Sequence, residues 1–143
     1  MNRRLLTLFA VVVLVSGARV AAADNAGEKL VRTPYETVRT AEGFTIGGVG
    51  FAGTPSIMEK AFRQLLKEPN ALVKCKKLLN DATPSGQLYG LLGLRLLNDQ
   101  QAFRTALPLY KNSRAIIPTM RGCIAGRTTA AEVAKQIEKG ELK

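Results

Sequence analysis

A mainly α-helical fold, a small exported bundle or short stack of helical hairpins, is what three features of this sequence predict. Helix-start patterns built on Thr, Ser or Asp with a nearby Pro or Glu recur between residues 54 and 132. The segments that follow them repeat apolar residues at three and four positions, enough for about five helices. One segment, Thr83 to Asp99 (TPSGQLYGLLGLRLLND), is apolar on nearly every side. Leu88, Leu91, Leu92, Leu94, Leu96 and Leu97 cannot share one face at a 3.6-residue period, so this helix must be surrounded by other elements. Gly90 and Gly93 then mark places where neighbours come close.

The chain begins with a stretch that has the three parts of a secretory signal. Arg3 and Arg4 supply positive charge, Leu5 to Val15 the apolar centre, and Ala21-Ala22-Ala23 the small residues read at a cleavage site. The expected division is a signal peptide over 1–23, a polar arm over 24–42 and a single helical domain over 43–143, with the mature protein periplasmic or secreted. The apolar centre is short of the roughly twenty residues that span a bilayer, so no transmembrane segment is expected after signal removal. Removing 23 of the 143 residues leaves 120, the size of one domain. Removing Arg3, Arg4 and Arg19 from 21 basic residues leaves 18 against 11 acids, a net charge of +7. Such a balance favours anionic partners, but most of the basic residues are scattered singly, as on a solvated surface.

Residues 24–42 are polar and weakly patterned, and are read as a flexible or extended arm in which Leu30-Val31-Arg32 and Thr37-Val38-Arg39 add short edge strands. Gly43 to Gly53, GFTIGGVGFAG, changes character abruptly, with Phe44, Thr45 and Ile46 leading into alternating glycines. Thr54-Pro55-Ser56 starts a helix, with Ser56 and Glu59 as a capping box; Ile57, Met58, Ala61, Phe62, Leu65 and Leu66 point inward, and Lys60, Arg63, Gln64 and Lys67 outward. Glu68-Pro69-Asn70 ends it and opens a second helix, with Pro69 in the first turn, whose buried face holds Ala71, Leu72, Cys75, Leu78 and Leu79. After the apolar helix, Asp99 caps a fourth that carries Phe103, Ala106, Leu107 and Tyr110, and Pro108 kinks or ends it. Ile116 to Arg127 reads as an extended segment or loop. Thr129 and Glu132 cap a last helix that Gly140 terminates.

Thr54-Pro55-Ser56 recurs as Thr83-Pro84-Ser85, which suggests an internal repeat of helical hairpins. The short LYGLLGLRLL segment resembles the inner helix of HEAT-type α-solenoid repeats; over so few residues the resemblance implies local packing and no function.

Cys75 and Cys123 are the two cysteines, and in an exported chain they read as one disulfide closing a loop of 48 residues, 123 less 75. On the chain-entropy model that bridge is worth about 4 kcal/mol. No metal site or cofactor is expected: there is no His in the sequence and no CxxC. The same lack of His excludes Ser-His and Cys-His nucleophile pairs, and no carboxylate pair lies in a motif that implies a cleft, so no catalytic residue is assigned. Gly48-Val49-Gly50-Phe51-Ala52-Gly53 matches the GxGxxG pattern of dinucleotide sites, but the βαβ unit that gives the pattern its chemistry is absent, and a tight turn is the better reading. Aromatic residues are 6% of the chain with no Trp, which argues against nucleic acid as a partner.

The expected function is therefore non-enzymatic: an exported protein-interaction or structural module of the bacterial cell envelope. Its candidate interaction surface comprises Gly47, Gly48, Gly50, Phe51 and Gly53 together with Lys74, Lys76 and Lys77. Two alternatives are a binder of an anionic envelope lipid or polymer, and a cysteine-dependent redox protein in which Arg121 beside Cys123 lowers the thiol pKa.

Overall fold

The computed structural model describes residues 32–143, so the expected signal peptide and Leu30-Val31 lie outside the described residues. Among the described residues there are six helices and two small antiparallel sheets: α1 (Pro34–Arg39), β1 (Gly48–Val49), β2 (Thr54–Pro55), α2 (Ile57–Leu65), α3 (Ala71–Asp81), α4 (Pro84–Leu96), α5 (Gln100–Lys111), β3 (Ile116–Arg121), β4 (Ile124–Thr129) and α6 (Ala130–Lys139). The fold is mainly α, as the sequence predicts. No described helix is long and apolar enough to cross a membrane.

Helix α4 is the centre. Every residue from Leu88 to Leu94 is buried, and α1, α3, α5 and α6 all pack against it. Its glycines form a seam. A Cβ on Gly90 would stand 2.9 Å from the Cys75 carbonyl oxygen and 3.0 Å from Leu78 Cβ, and one on Gly93 would strike the Cys75 sulfur. One on Gly86 would meet the Val38 carbonyl oxygen at 2.7 Å. Glycine on this face is what lets α3 and the end of α1 approach so closely. Tyr89, fully buried, stacks its ring on Phe44 and Phe62 with centroids 4.6 and 5.1 Å apart.

Several expectations need correction. Residues 33–41 are not an arm with an edge strand: Thr33 caps α1 by accepting from Glu36 N–H, Pro34 fills its first position, and Tyr35, Val38 and Ala41 are buried. Six residues are too few to display a helical period, yet the cap and proline are the same start signal seen elsewhere. The two Thr-Pro-Ser triplets are not a structural repeat. Thr83 caps α4 with Pro84 at its first position, whereas Ser56 caps α2, and Thr54-Pro55 forms strand β2 instead. Pro108 lies inside α5, which continues to Lys111, so of the two expected outcomes, a kink or an end, the end does not occur; Pro69 precedes the Asn70 cap and lies outside the first turn of α3. On α2, Ile57 is 76% exposed while Glu59 is buried.

The expected disulfide is not present in the structure. Cys75 is enclosed between α3 and α4, Cys123 is exposed at the β3–β4 turn, and both are free thiols. A bridge requires the two Cβ atoms about 4 Å apart, and one of these cysteines lies in the core while the other projects from the surface. Burial pushes the Cys75 thiol up to about 12.

Candidate functional site

The expected extended segment or loop at Ile116 to Arg127 is a β-hairpin, paired from Ile116↔Thr129 to Arg121↔Ile124. Its two-residue turn places Gly122 at φ 59° in the first position, the geometry that matches the twist of the flanking strands. The glycine-rich stretch forms a second, smaller hairpin in which Gly48 faces Pro55 and Val49 faces Thr54. Gly47, Gly50 and Gly53 have φ of 102°, 69° and 61°, and nothing lies within 4 Å of where their Cβ atoms would be. Backbone conformation, not crowding, requires glycine there.

The two turns are joined. Gly50 N–H donates to the Gly122 carbonyl at 2.9 Å, and Gly122 N–H donates to the Gly48 carbonyl at 3.1 Å. A third backbone bond, Phe44 N–H to the Pro118 carbonyl at 2.9 Å, runs the residues before β1 along the outer side of β3. The body of the protein holds this assembly at two points. The Tyr89 hydroxyl donates to the Thr45 carbonyl at 2.9 Å and accepts from Thr45 N–H at 3.0 Å. Burial pushes that hydroxyl up to about 12, so it stays protonated and able to donate. Glu59 accepts from Gly47 N–H at 2.9 Å with one oxygen and from Arg63 at 2.7 and 2.8 Å with the other. Glu59 therefore does not complete a capping box by reaching back to Ser56; its carboxylate is committed to the glycine loop.

This joined tip presents apolar side chains, and the hairpin region that carries it is cationic. Phe51 is fully exposed, and Ile124 is 76% exposed. No charged residue occurs between Gly43 and Ser56, and no acid between Asn112 and Ala131, where Arg114, Arg121 and Arg127 stand exposed. Ile117 points into the core, so by strand alternation Ile116, Pro118 and Met120 and their partners Thr129, Arg127 and Ala125 face outward.

The lysines of α3 are different. Lys74 pairs with Glu68, Lys76 with Asp99 at 2.8 Å, and Lys77 with Asp81 at 3.8 Å while lying over the Tyr35 ring at 5.3 Å. Each is matched to an acid, so they form no shared cationic patch with Gly47 to Gly53. Asp99 also accepts from Ala102 N–H as the α5 cap, and Lys76 first, then this bond, holds its carboxyl below the usual range. Between α3 and α5 lies a groove of about 550 Å³ lined by Leu79, Ala102, Ala106, Leu109 and Tyr110. The Lys76–Asp99 pair borders it, and no nucleophile with a base beside it opens into it. Among the described residues no three His, Cys, Asp or Glu side chains gather as metal ligands would.

Of the residues singled out from sequence, the structure thus brings Gly47, Gly48, Gly50, Phe51 and Gly53 together with Cys123, and leaves Lys74, Lys76, Lys77 and Cys75 elsewhere. Of the residues that hold the tip, Tyr89 carried no motif and Glu59 was read only as part of a capping box with Ser56. Their only sequence signal for holding the tip was a polar atom on an otherwise apolar helix and a carboxylate twelve residues after a glycine. Scans against protein families, curated proteins and solved structures each return no match to this chain.

Proposed function

We propose that this protein is a non-enzymatic binding module of the bacterial cell envelope, and that it recognises a protein partner through the joined tip of its two hairpins. The observation that carries this reading is the cost of the tip. Four glycines at positive φ, two cross-turn hydrogen bonds and the buried carboxylate of Glu59 are spent on holding Phe51 and Ile124 in solvent. Exposed large apolar side chains on a rigid mount add nothing to the core and are typical of a contact surface. The expected export signal supports an envelope setting.

The test is capture of a partner from envelope extract by the wild type and by a Gly48→Val, Gly50→Val variant. A Cβ at position 48 would meet the Gly53 backbone, and one at 50 is disfavoured by φ, so the tip should open while the helices remain. Loss of a specific partner with unchanged helical circular dichroism supports the proposal. Retained capture, or global unfolding, contradicts it. Arg121 and Arg127 on the β3–β4 hairpin and Arg114 just before it favour an anionic envelope surface as the second reading, which predicts retention that weakens steeply with salt.

A further inference from the structure

Among the described residues, strand β4 is hydrogen-bonded on one side only. Pro118 has no N–H and turns its carbonyl away from β4 toward Phe44, so Pro118↔Arg127 is a pair without mutual hydrogen bonds. The ladder alternates, which puts Met120↔Ala125 in the same class and turns the N–H and C=O of both Ala125 and Arg127 outward. None of these four groups has a backbone partner outside the β3–β4 ladder among the described residues. Both residues are exposed, and the strand is six residues long, with no proline and no acid. An edge of this kind is a template for another strand.

From this we infer that β4 receives an extended, acidic segment of a protein partner by strand addition, a reading that rests on the protein-binding role proposed above and names its partner's chemistry. Charge chooses the occupant. Arg127 lies on the outward face at the edge itself, Arg121 lies on the same hairpin and Arg114 just before it, and no acid occurs in the sequence between Asn112 and Ala131. A second copy pairing through β4 would bring together two hairpin regions that each carry these three arginines and no acid, and like charges brought close repel. An incoming strand with a carboxylate opposite Arg127 relieves that excess while satisfying the four open backbone groups. Outward-facing Met120 and Ile116, 43% and 59% exposed, lie one strand further in.

The test uses the purified protein and a capped six-residue peptide of alternating Glu and Val at millimolar concentration, followed by amide NMR. The expected result is that Ala125 and Arg127 N–H shift and gain exchange protection, and that binding falls at least tenfold with an alternating Lys and Val peptide. The Ala125→Pro variant removes one outward N–H without touching a bond of the β3–β4 ladder, and should abolish binding while the ladder amides remain protected. Equal binding of the Lys peptide, shifts that persist in Ala125→Pro, or no shift at all would overturn the inference. So would shifts confined to Phe51 and Ile124 on anionic vesicles, or a concentration-dependent dimer through β4. Partner capture that survives Ala125→Pro but is lost in Gly48→Val, Gly50→Val would keep the binding role and move its contact off the strand edge.

Discussion

Helix α4 and the joined tip both depend on glycine, for opposite reasons. On α4 the glycines have ordinary helical backbones and no room: Gly86, Gly90 and Gly93 each have atoms of a neighbouring element where a Cβ would go. At the tip Gly47, Gly50, Gly53 and Gly122 have open space on that side and a backbone that L-residues avoid. The first set brings elements together so that apolar surface can be buried. The second set folds the chain back on itself so that Phe51 and Ile124 stay outside. One residue type thus serves packing in one half of the molecule and presentation in the other.

That contrast breaks most severely at the helix seam. Gly90→Leu forces a side chain into the Cys75 carbonyl and Leu78, where backbone cannot yield, and should cost about 3 kcal/mol or more in chemical denaturation. Tyr89→Phe keeps the stacking on Phe44 and Phe62 and removes only the hydroxyl that both donates to and accepts from Thr45. A loss of about 1–2 kcal/mol is expected, with increased exchange at Thr45 N–H. Gly50→Ala has space and pays only for positive φ, so about 1 kcal/mol is expected.

The smallest effect lies at the groove, away from both regions. Lys76 and the Ala102 N–H lower the Asp99 pKa below its ordinary 3.8 in the folded protein. A carboxyl with a depressed folded pKa stabilises the fold above its unfolded value, and that stabilisation fades as pH falls through the folded one. Lys76→Gln should therefore be slightly less stable than wild type near neutral pH, and the difference should close in acid; a constant difference would assign it to packing.

The parts of this fold that were legible in the sequence are those where a local signal and a long period coincide. Ser56, Thr83, Asp99 and Thr129 each cap the helix expected of them, Gly140 ends α6 at φ 77°, and the all-round apolarity of Leu88 to Leu94 marked the centre. Helix α1 was hidden because Tyr35, Val38 and Ala41 give only two intervals of three residues. The β3–β4 hairpin was hidden because only Ile117 of its twelve paired positions is buried, so no alternation of apolar and polar residues could appear. Compartment reasoning paired Cys75 with Cys123, but pairing is a matter of three-dimensional distance, and α3 turns Cys75 onto Gly93. Composition alone located the glycine tip. Its partnership with Gly122 depends on hydrogen bonds between segments some seventy residues apart, which no local pattern encodes.

The central claim is that the tip is kept for contact and not for stability. Its most direct test is a Phe51→Ser, Ile124→Ser double variant, melted beside the wild type and assayed for capture of the proposed partner. The account predicts a Tm within about 2 °C of wild type, since neither side chain is buried, together with loss of capture. A fall in Tm of about 5 °C or more, or undiminished capture, would contradict it.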